Sequence, residues 1–390
     1  MSKQIKLAPG MALASLKQLF TDKEIQELYE GKRIGTFDIE ITDMCNYRCK
    51  YCYNSSSPTG NPETNQKDRL TLSKIKSLID EASEMDIRLF NIQGGEPMFD
   101  KKIFYEIAEY AKPKFKALVG FTNGYFVEED DAKRLSDLEI SLCVKLDTLD
   151  EKIYKELTLV NGLQKVLKGL EYLKKYNVTT TTNSVATPLN YYDIPNVWRY
   201  STDRGFSPFV ARNHYHGNTR EHSYLQLTAE ELGNLFRELE RIDKEEYGIK
   251  WNSDLIFPRD NSCQRYRAGI FINHRGIVTP CSEADPKYYA LGNVNEEKLK
   301  DILSYERIKP FRNIYDKLHG ACSVENCEFA KKQLCYGCRV SAADVGVFRG
   351  KEFTEEFFGG DALCPHNKIN PLTAKELNRE PLKGFNNEPK

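Results

Sequence analysis

Between residues 35 and 215 the hydrophobic positions follow two alternating rhythms. Short runs rich in β-branched and aromatic residues give way to stretches in which apolar residues return every three or four positions. "GTFDIEIT" reads as a strand that ends just before Cys45. In "TLSKIKSLIDEASEM", Leu72, Ile75, Leu78, Ile79, Ala82 and Met85 share one helical face. The unit then repeats as strand "IRLFNIQ", a helix near 102–112, strand "KALVGFTNG", a helix near 128–137, and strand "EISLCVKLD". A helical stretch over 149–176, strand "VTTTTNSVA", a helix near 191–203 and strand "FSPFVARN" complete it. Strands alternating with helices predict parallel βαβ units. About six such units predict an α/β fold, a partial (β/α)6 barrel of TIM type with its site at the carboxyl ends of the strands.

The rhythm changes on either side of this barrel, 35–215. "LASLKQLFTDKEIQELYEG" reads as one helix, so residues 1–34 are expected to form an N-terminal helical extension. In the connecting segment 216–262, Thr228 and Glu231 predict a capping box for a helix with Leu232, Leu235, Phe236, Leu239 and Ile242 on one face. Residues 263–366 read as a second, cysteine-rich domain of short elements, with a hairpin "GIFINHRGIVTP" turning near Gly276. The tail, 367–390, is polar and is expected to be loosely held.

Charge and composition narrow the function. With 56 basic and 57 acidic residues the net charge is -1, so no global field favours nucleic acid or an anionic membrane. No run approaches the roughly 18 apolar residues of a membrane span, and the N-terminus lacks a signal-peptide core. The expectation is a cytoplasmic protein with no nucleic-acid and no membrane partner. Eleven cysteines in a reducing compartment point to metal or redox groups and away from a disulfide framework.

Cys45-x3-Cys49-x2-Cys52 supplies three thiolates from one loop after a strand, a donor set suited to iron–sulfur clusters or zinc. Structural zinc takes four protein ligands, and the next cysteine along the chain is Cys143, which reads as a buried core thiol. The loop, with Tyr51 before its last cysteine, resembles the signature loop of radical S-adenosylmethionine (SAM) enzymes. That resemblance implies a [4Fe-4S] cluster on Cys45, Cys49 and Cys52 whose fourth iron chelates SAM. It also implies reductive cleavage of SAM to methionine and a 5'-deoxyadenosyl radical. "GGEP", with Gly94, Gly95, Glu96 and Pro97, is similar to the family's GGE motif, which contacts the SAM amino group; its glycines would let the backbone approach a ligand. "TNG", with Asn123, and "KLDT", with Lys145 and Asp147, look like later strand-end contacts. The family's commoner "SLD" has serine where Lys145 stands, which makes Lys145 a candidate partner for the SAM carboxylate or ribose; Lys145 and Asp147 read equally as scaffold.

The remaining cysteines form the order Cys263, Gly276-x4-Cys281, Cys322-x4-Cys327-x7-Cys335-x2-Cys338, Cys364. This resembles the seven-cysteine SPASM extension of radical SAM enzymes, although the middle spacings depart from the usual x2, x5, x3. The resemblance implies two auxiliary [4Fe-4S] clusters, three clusters in all. By order, Cys263, Cys281 and Cys338 would hold the first, open to substrate or a non-cysteine ligand, and Cys322, Cys327, Cys335 and Cys364 the second. A pair of zinc ribbons is the alternative.

The family's chemistry implies hydrogen abstraction from a substrate, with an electron donor such as flavodoxin or ferredoxin. Because SPASM extensions accompany peptide modification most often, a peptide or protein substrate stands ahead of a small metabolite such as a sugar or cofactor precursor. Too few residues precede Cys45 for a peptide-recognition domain, so either the substrate is small, or a peptide is recognised by the barrel itself or by a separate recognition protein as a further partner. The rival from another class is a non-catalytic iron–sulfur electron-transfer protein. Sulfatase-maturing relatives carry an aspartate base after the cysteine of G-x4-C; Ser282 and Glu283 stand here, leaving Glu283 a candidate from a shifted backbone. Arg212, His214 and His216 alternate at the end of the last predicted strand. If the strand continues they face the barrel mouth, where histidine moves protons near neutral pH; if it ends, they are a polar exit loop.

Overall fold

The computed structural model describes residues 13–385 apart from 63, 252–262, 264, 313 and 353–355. Parts of the expected extension 1–34, linker 216–262 and tail 367–390 therefore lie outside the described residues.

Six strands, β1 (Thr36–Glu40), β2 (Leu89–Gln93), β3 (Ala117–Thr122), β4 (Ser141–Lys145), β5 (Thr180–Ala186) and β6 (Ser207–Arg212), pair in chain order, all parallel. The fold is the partial (β/α)6 barrel that the alternation predicts. A cysteine-rich unit is built on its sheet edge: β7 (Gly269–Ile272) pairs parallel with β1, and β8 (Ile277–Thr279) and β9 (Gly292–Asn293) follow antiparallel. The β7–β8 turn falls at Gly276, whose φ of +84° suits a residue without Cβ. Among the described residues no helix is long and apolar enough to cross a membrane.

The expected single helix at the N-terminus is two, α1 (Leu13–Leu19) and α2 (Asp22–Tyr29), because Thr21 and Glu24 form a capping box that starts a new helix. Together they plug the amino-terminal mouth of the barrel. Leu16, Leu19, Phe20, Ile25 and Leu28 pack there against Leu89, Ala117, Val119 and Ala268.

On the outer face lie α3 (Leu72–Glu84), α4 (Lys101–Ala111), α5 (Glu129–Asp137), α6 (Glu151–Thr158), α7 (Leu163–Lys175) and α8 (Ile194–Asp203). In α3 the predicted stripe is the buried one, Ile75, Leu78, Ile79 and Ala82, while Thr71 caps the helix by accepting from the Lys74 N–H. The expected continuous helix over 149–176 is divided into α6 and α7. Leu159 adopts φ +61° and ends α6 in a left-handed turn.

The Thr228–Glu231 capping box starts α9 (Ala229–Glu246) as predicted. The tail up to Phe385 is not loose, which corrects the expectation from its polarity. Leu372 and Leu377 are buried with the apolar face of α9, and Phe385 stacks on Tyr191 at 4.8 Å. Arg379 pairs with the buried Glu231 carboxylate, which also accepts the Leu382 N–H. Leu377→Ala should therefore cost about 2–5 kcal/mol, read as a lowered melting temperature by circular dichroism; an unchanged midpoint would mean that the docked tail contributes nothing.

Candidate active site and cofactor sites

Inward-facing residues change character along the barrel. Above the apolar plug, Asp38 accepts from Asn91 Nδ2 at 2.5 Å and Gln93 Nε2 at 2.7 Å and pairs with Arg265. Above that, the carboxyl ends of the strands enclose a cavity of about 1060 Å3, part of it open to solvent. Cys45, Cys49 and Cys52 all line it. So do Gly94 and Gly95 after β2, Asn123 after β3, Lys145 on β4, Asn183 and Val185 on β5, and Arg212 and His214 at the end of β6. Glu283, two residues beyond Cys281, completes the wall from the cysteine-rich unit.

The cysteine loop is held by backbone contacts from three sides. Gly95 N–H donates to Thr42 O at 2.7 Å and Glu96 N–H to Met44 O at 2.8 Å. A Cβ on Gly94 would stand 2.7 Å from Thr42 O, and one on Gly95 would meet Met44 O. These glycines are required by the chain's own backbone as well as by any ligand. Arg48 and Lys50 N–H groups donate to Thr158 O and Leu157 O, orphan carbonyls at the end of α6. From the third side, Asn218 donates to Cys52 O through its backbone and to Cys49 O through its side chain, both at 2.9 Å.

Three of the expected cofactor contacts sit behind the cavity wall. The Glu96 carboxylate is buried and accepts from Met98 N, Thr122 Oγ1 and Asn123 N at 2.9, 2.7 and 2.6 Å. Burial raises its carboxyl to about 7, against these three donors. Pro97 is buried in the short turn that Glu96 caps. Asp147 is buried too: it accepts from Tyr51 Oη and from Val185 N, the latter at 2.8 Å. Lys145 and Tyr51 remain on the wall, the ammonium 4.3 Å from the Tyr51 ring centre and 3.5 Å from Asp147 Oδ1.

β6 ends at Arg212, so the continued strand that would align Arg212, His214 and His216 does not exist. Arg212 is in a buried ion pair with Asp361. His214 lines the cavity, but burial and then the Arg212 charge hold its imidazole near 3, so it stays neutral and does not titrate near pH 7. His216 is lowered by burial and is not part of the wall. Cys143, expected in the core, faces the cavity instead, since it shares the inward side of β4 with Lys145. Sequence reasoning missed Gln93, Asn183 and Asn218; polar residues at i, i+2 positions of otherwise buried strands were the available signal for the first two.

A second cavity, of about 410 Å3, is lined by Cys322, Cys327, Cys335 and Cys364. Main-chain N–H groups of Asp361 and Gly337 donate to Cys322 Sγ and Cys335 Sγ, both at 3.3 Å. Arg339 is fully buried nearby, its Nη1 spent on Phe357 O and Gly359 O and its Nη2 without a hydrogen-bond partner among the described residues. Cys263, Cys281 and Cys338 form another group, with Cys263 in electrostatic contact with both others.

These donor sets fit iron–sulfur clusters. Among the described residues no three His, Cys, Asp or Glu side chains converge as they would on a single ion, whereas the barrel and four-thiol groups line cavities, and Cys45, Cys322, Cys335 and Cys338 receive main-chain N–H groups, as thiolates of a polynuclear cluster do. Burial pushes the Cys49, Cys335 and Cys338 thiols up to about 12 and Cys45 and Cys281 higher, so the thiolate forms need a cationic centre.

Residues 39–197 match the radical SAM superfamily, and residues 263–338 match the iron–sulfur cluster-binding SPASM domain. The chain belongs to the SPASM-containing radical SAM proteins. It is 28% identical over 180 residues to a probable GTP 3',8-cyclase of Methanocaldococcus jannaschii, covering 45% of this chain and 57% of that protein. It is 33% identical over 135 residues to the GTP 3',8-cyclase of Pasteurella multocida, covering 34% and 39%. The chain thus spans about half the length of the curated relatives it matches. Among solved structures it resembles Streptococcus suis SuiB bound to SAM, with a TM-score of 0.63, 16% identity and coverage of 88% and 80%. It also resembles anSMEcpe bound to SAM, with a TM-score of 0.65, 18% identity and coverage of 88% and 95%. At these identities the likeness is one of fold.

Gly95→Ala should cost about 1–3 kcal/mol in overpacking against Met44 and lower the iron held by the barrel loop. Cys143→Ala, which removes only a cavity-wall thiol, should leave the iron content unchanged. Iron analysis of the two variants, equal in both, would show that the Gly95 contact tolerates a methyl group.

Proposed function

We propose that this protein is a radical SAM enzyme that abstracts a hydrogen atom from a peptide or protein substrate. The observation that carries the reading is the convergence of Cys45, Cys49 and Cys52 with Gly94, Gly95, Asn123 and Lys145 on one cavity at the carboxyl ends of the barrel strands. When bound there, a [4Fe-4S] cluster and SAM supply reductive cleavage to methionine and the hydrogen-abstracting 5'-deoxyadenosyl radical. An external one-electron donor such as flavodoxin or ferredoxin is the partner this chemistry requires.

In this reading the three thiols would hold the barrel cluster, and Gly94 and Gly95, which line the same cavity, would contact the SAM methionine. Lys145, steadied by Asp147 and the Tyr51 ring, offers its cation to the SAM carboxylate. Asn123 and Tyr51 shape the wall between them. Cys322, Cys327, Cys335 and Cys364 would hold one auxiliary cluster, and Cys263, Cys281 and Cys338 would hold another, completed by substrate or a non-cysteine ligand. Glu283 supplies the carboxyl on the cavity wall; burial raises it to about 7 against the charges of Arg265 and Lys145. A cytoplasmic location suits thiols that must stay reduced.

A peptide substrate is supported by the fold relatives, since SuiB was solved with its precursor peptide SuiA. A small-molecule substrate is the second reading, favoured by the GTP 3',8-cyclases among the sequence relatives. Incubating the reduced enzyme with the products of neighbouring genes separates them. A mass change in such a peptide supports the first; turnover of GTP or another small molecule, with no peptide modified, replaces it with the second.

Replacing Cys45, Cys49 and Cys52 together by alanine should abolish 5'-deoxyadenosine formation. Of the roughly twelve irons expected for three full [4Fe-4S] sites, about two thirds should remain. Wild-type cleavage by this variant, or zinc in place of iron after anaerobic reconstitution, would reject the reading. Glu283→Gln should keep substrate-independent SAM cleavage and lose at least tenfold in product formation, measured by separate assays of 5'-deoxyadenosine and product.

A further inference from the structure

One buried ion pair joins both C-terminal thiol groups to the barrel. Arg212, the last residue of β6, donates from Nη1 to Asp361 Oδ2 at 2.8 Å, and both side chains are 0% exposed. The same oxygen accepts the main-chain N–H of Cys338 at 2.9 Å. The main-chain N–H of Asp361 donates to Cys322 Sγ at 3.3 Å. Cys338 belongs to the three-thiol group and Cys322 to the four-thiol cavity, so a single residue touches both. Arg212 extends the link to the barrel cavity, whose wall it lines. Its charge is within electrostatic reach of Cys338 and Cys364, one thiol from each group.

The junction has little freedom to shift. Gly337, at φ +66°, sits where a Cβ would stand 2.8 Å from Cys322 Sγ and 3.0 Å from the Asp361 Cβ. Asp361 is held further by Leu363 N, which donates to Oδ1 at 3.1 Å, and by Asn367 Nδ2, which donates to its carbonyl at 3.0 Å.

We propose that Arg212 and Asp361 are positioning residues that couple the two auxiliary sites electrostatically and set their reduction potentials in opposite senses. The inference rests on the function proposed above. Reducing a [4Fe-4S]2+ site to [4Fe-4S]+ takes up one electron and adds one negative charge. A buried guanidinium beside it favours that step and a buried carboxylate opposes it, with little solvent to screen either. While the pair is intact the two effects largely cancel. Removing one partner exposes the other's full effect.

The test is an electron-paramagnetic-resonance redox titration of the full chain, reconstituted anaerobically and reduced with dithionite in the presence of mediators. The barrel site is told apart by its response to added SAM. Arg212→Gln should lower the midpoint potential of an auxiliary cluster and Asp361→Asn should raise it. Each should change the reduction equilibrium about tenfold, which is about 59 mV for a one-electron couple. The double variant should return toward the wild-type value, and Arg212→Lys, which keeps the charge, should stay close to it. Unmoved potentials, or single variants shifting in the same direction, would overturn the proposal. Loss of auxiliary iron from Arg212→Lys as well as from both neutral variants would reduce the pair to a structural staple and overturn it too. A wild-type protein that takes up no iron–sulfur cluster would instead reject the proposed function itself.

Discussion

The barrel site depends on one close approach of backbone to backbone, between Thr42–Met44 and Gly94–Glu96. Two N–H···O bonds cross that contact, and neither glycine has room for a side chain. From there the restraint passes through polar groups. Glu96, anchored through its N–H to Met44, takes the Asn123 N–H and the Thr122 hydroxyl on its carboxylate, and Asn123 returns a bond of 2.8 Å to Asn46 in the cysteine loop. The circuit closes through the ends of β1, β2 and β3. Loops are the mobile parts of most folds, and a loop with three metal ligands must keep their spacing. Here that spacing is imposed by hydrogen bonds that strand ends supply.

Burial sets the second constraint. Burial makes the Cys45, Cys49, Cys335 and Cys364 thiols resist ionisation, and a cluster that brings thiolates inside also brings negative charge. The surroundings contain cations placed before any metal is considered: Lys145 near Cys49, Arg265 near Cys263 and Cys281, Arg212 near Cys338, and Arg339 beside the four-thiol cavity. Two of the arginines carry carboxylate partners, Asp38 and Asp361. Paired in this way a buried cation stays tolerable in the absence of a cluster and still lies close enough to act on one.

Much of this was legible in the residues. Helical periodicity marked α3, α4, α5 and α9, because a surface helix has one dry face; strand runs between them gave the parallel order, and the cysteine spacings marked both kinds of site. What was hidden follows from contacts remote in sequence. Nothing local reveals that the helical stretch after Asp147 must stop at Leu159, yet the break leaves Leu157 O and Thr158 O free for the cysteine loop and lets Gly162 lie against Tyr47 Oη. The tail looked loose because its anchors, Leu372, Leu377 and Phe385, are few and widely spaced. Glu96 looked like a ligand contact because its motif carries no information on which way a carboxylate turns. Cys143 was placed with its apolar neighbours, whereas strand alternation sets it on the opposite side, with Lys145.

The way the two parts of the chain are joined bears on where specificity resides. β7 pairs with β1 in register, Asp38 opposite Phe271, so the cysteine-rich unit continues the barrel sheet instead of hanging from a linker. The hairpin that follows carries Cys281 into one thiol group and, two residues on, Glu283 onto the barrel cavity wall. Arg212 ties the far side of the same cavity to Asp361. The barrel strands therefore build the floor and position the cysteine loop, while Glu283, from the segment added after the barrel, completes the cavity wall. Changes in that later segment can alter what the cavity accepts without disturbing the hydrogen-bonded circuit under the thiols, which is the physical basis on which one barrel accommodates unlike substrates.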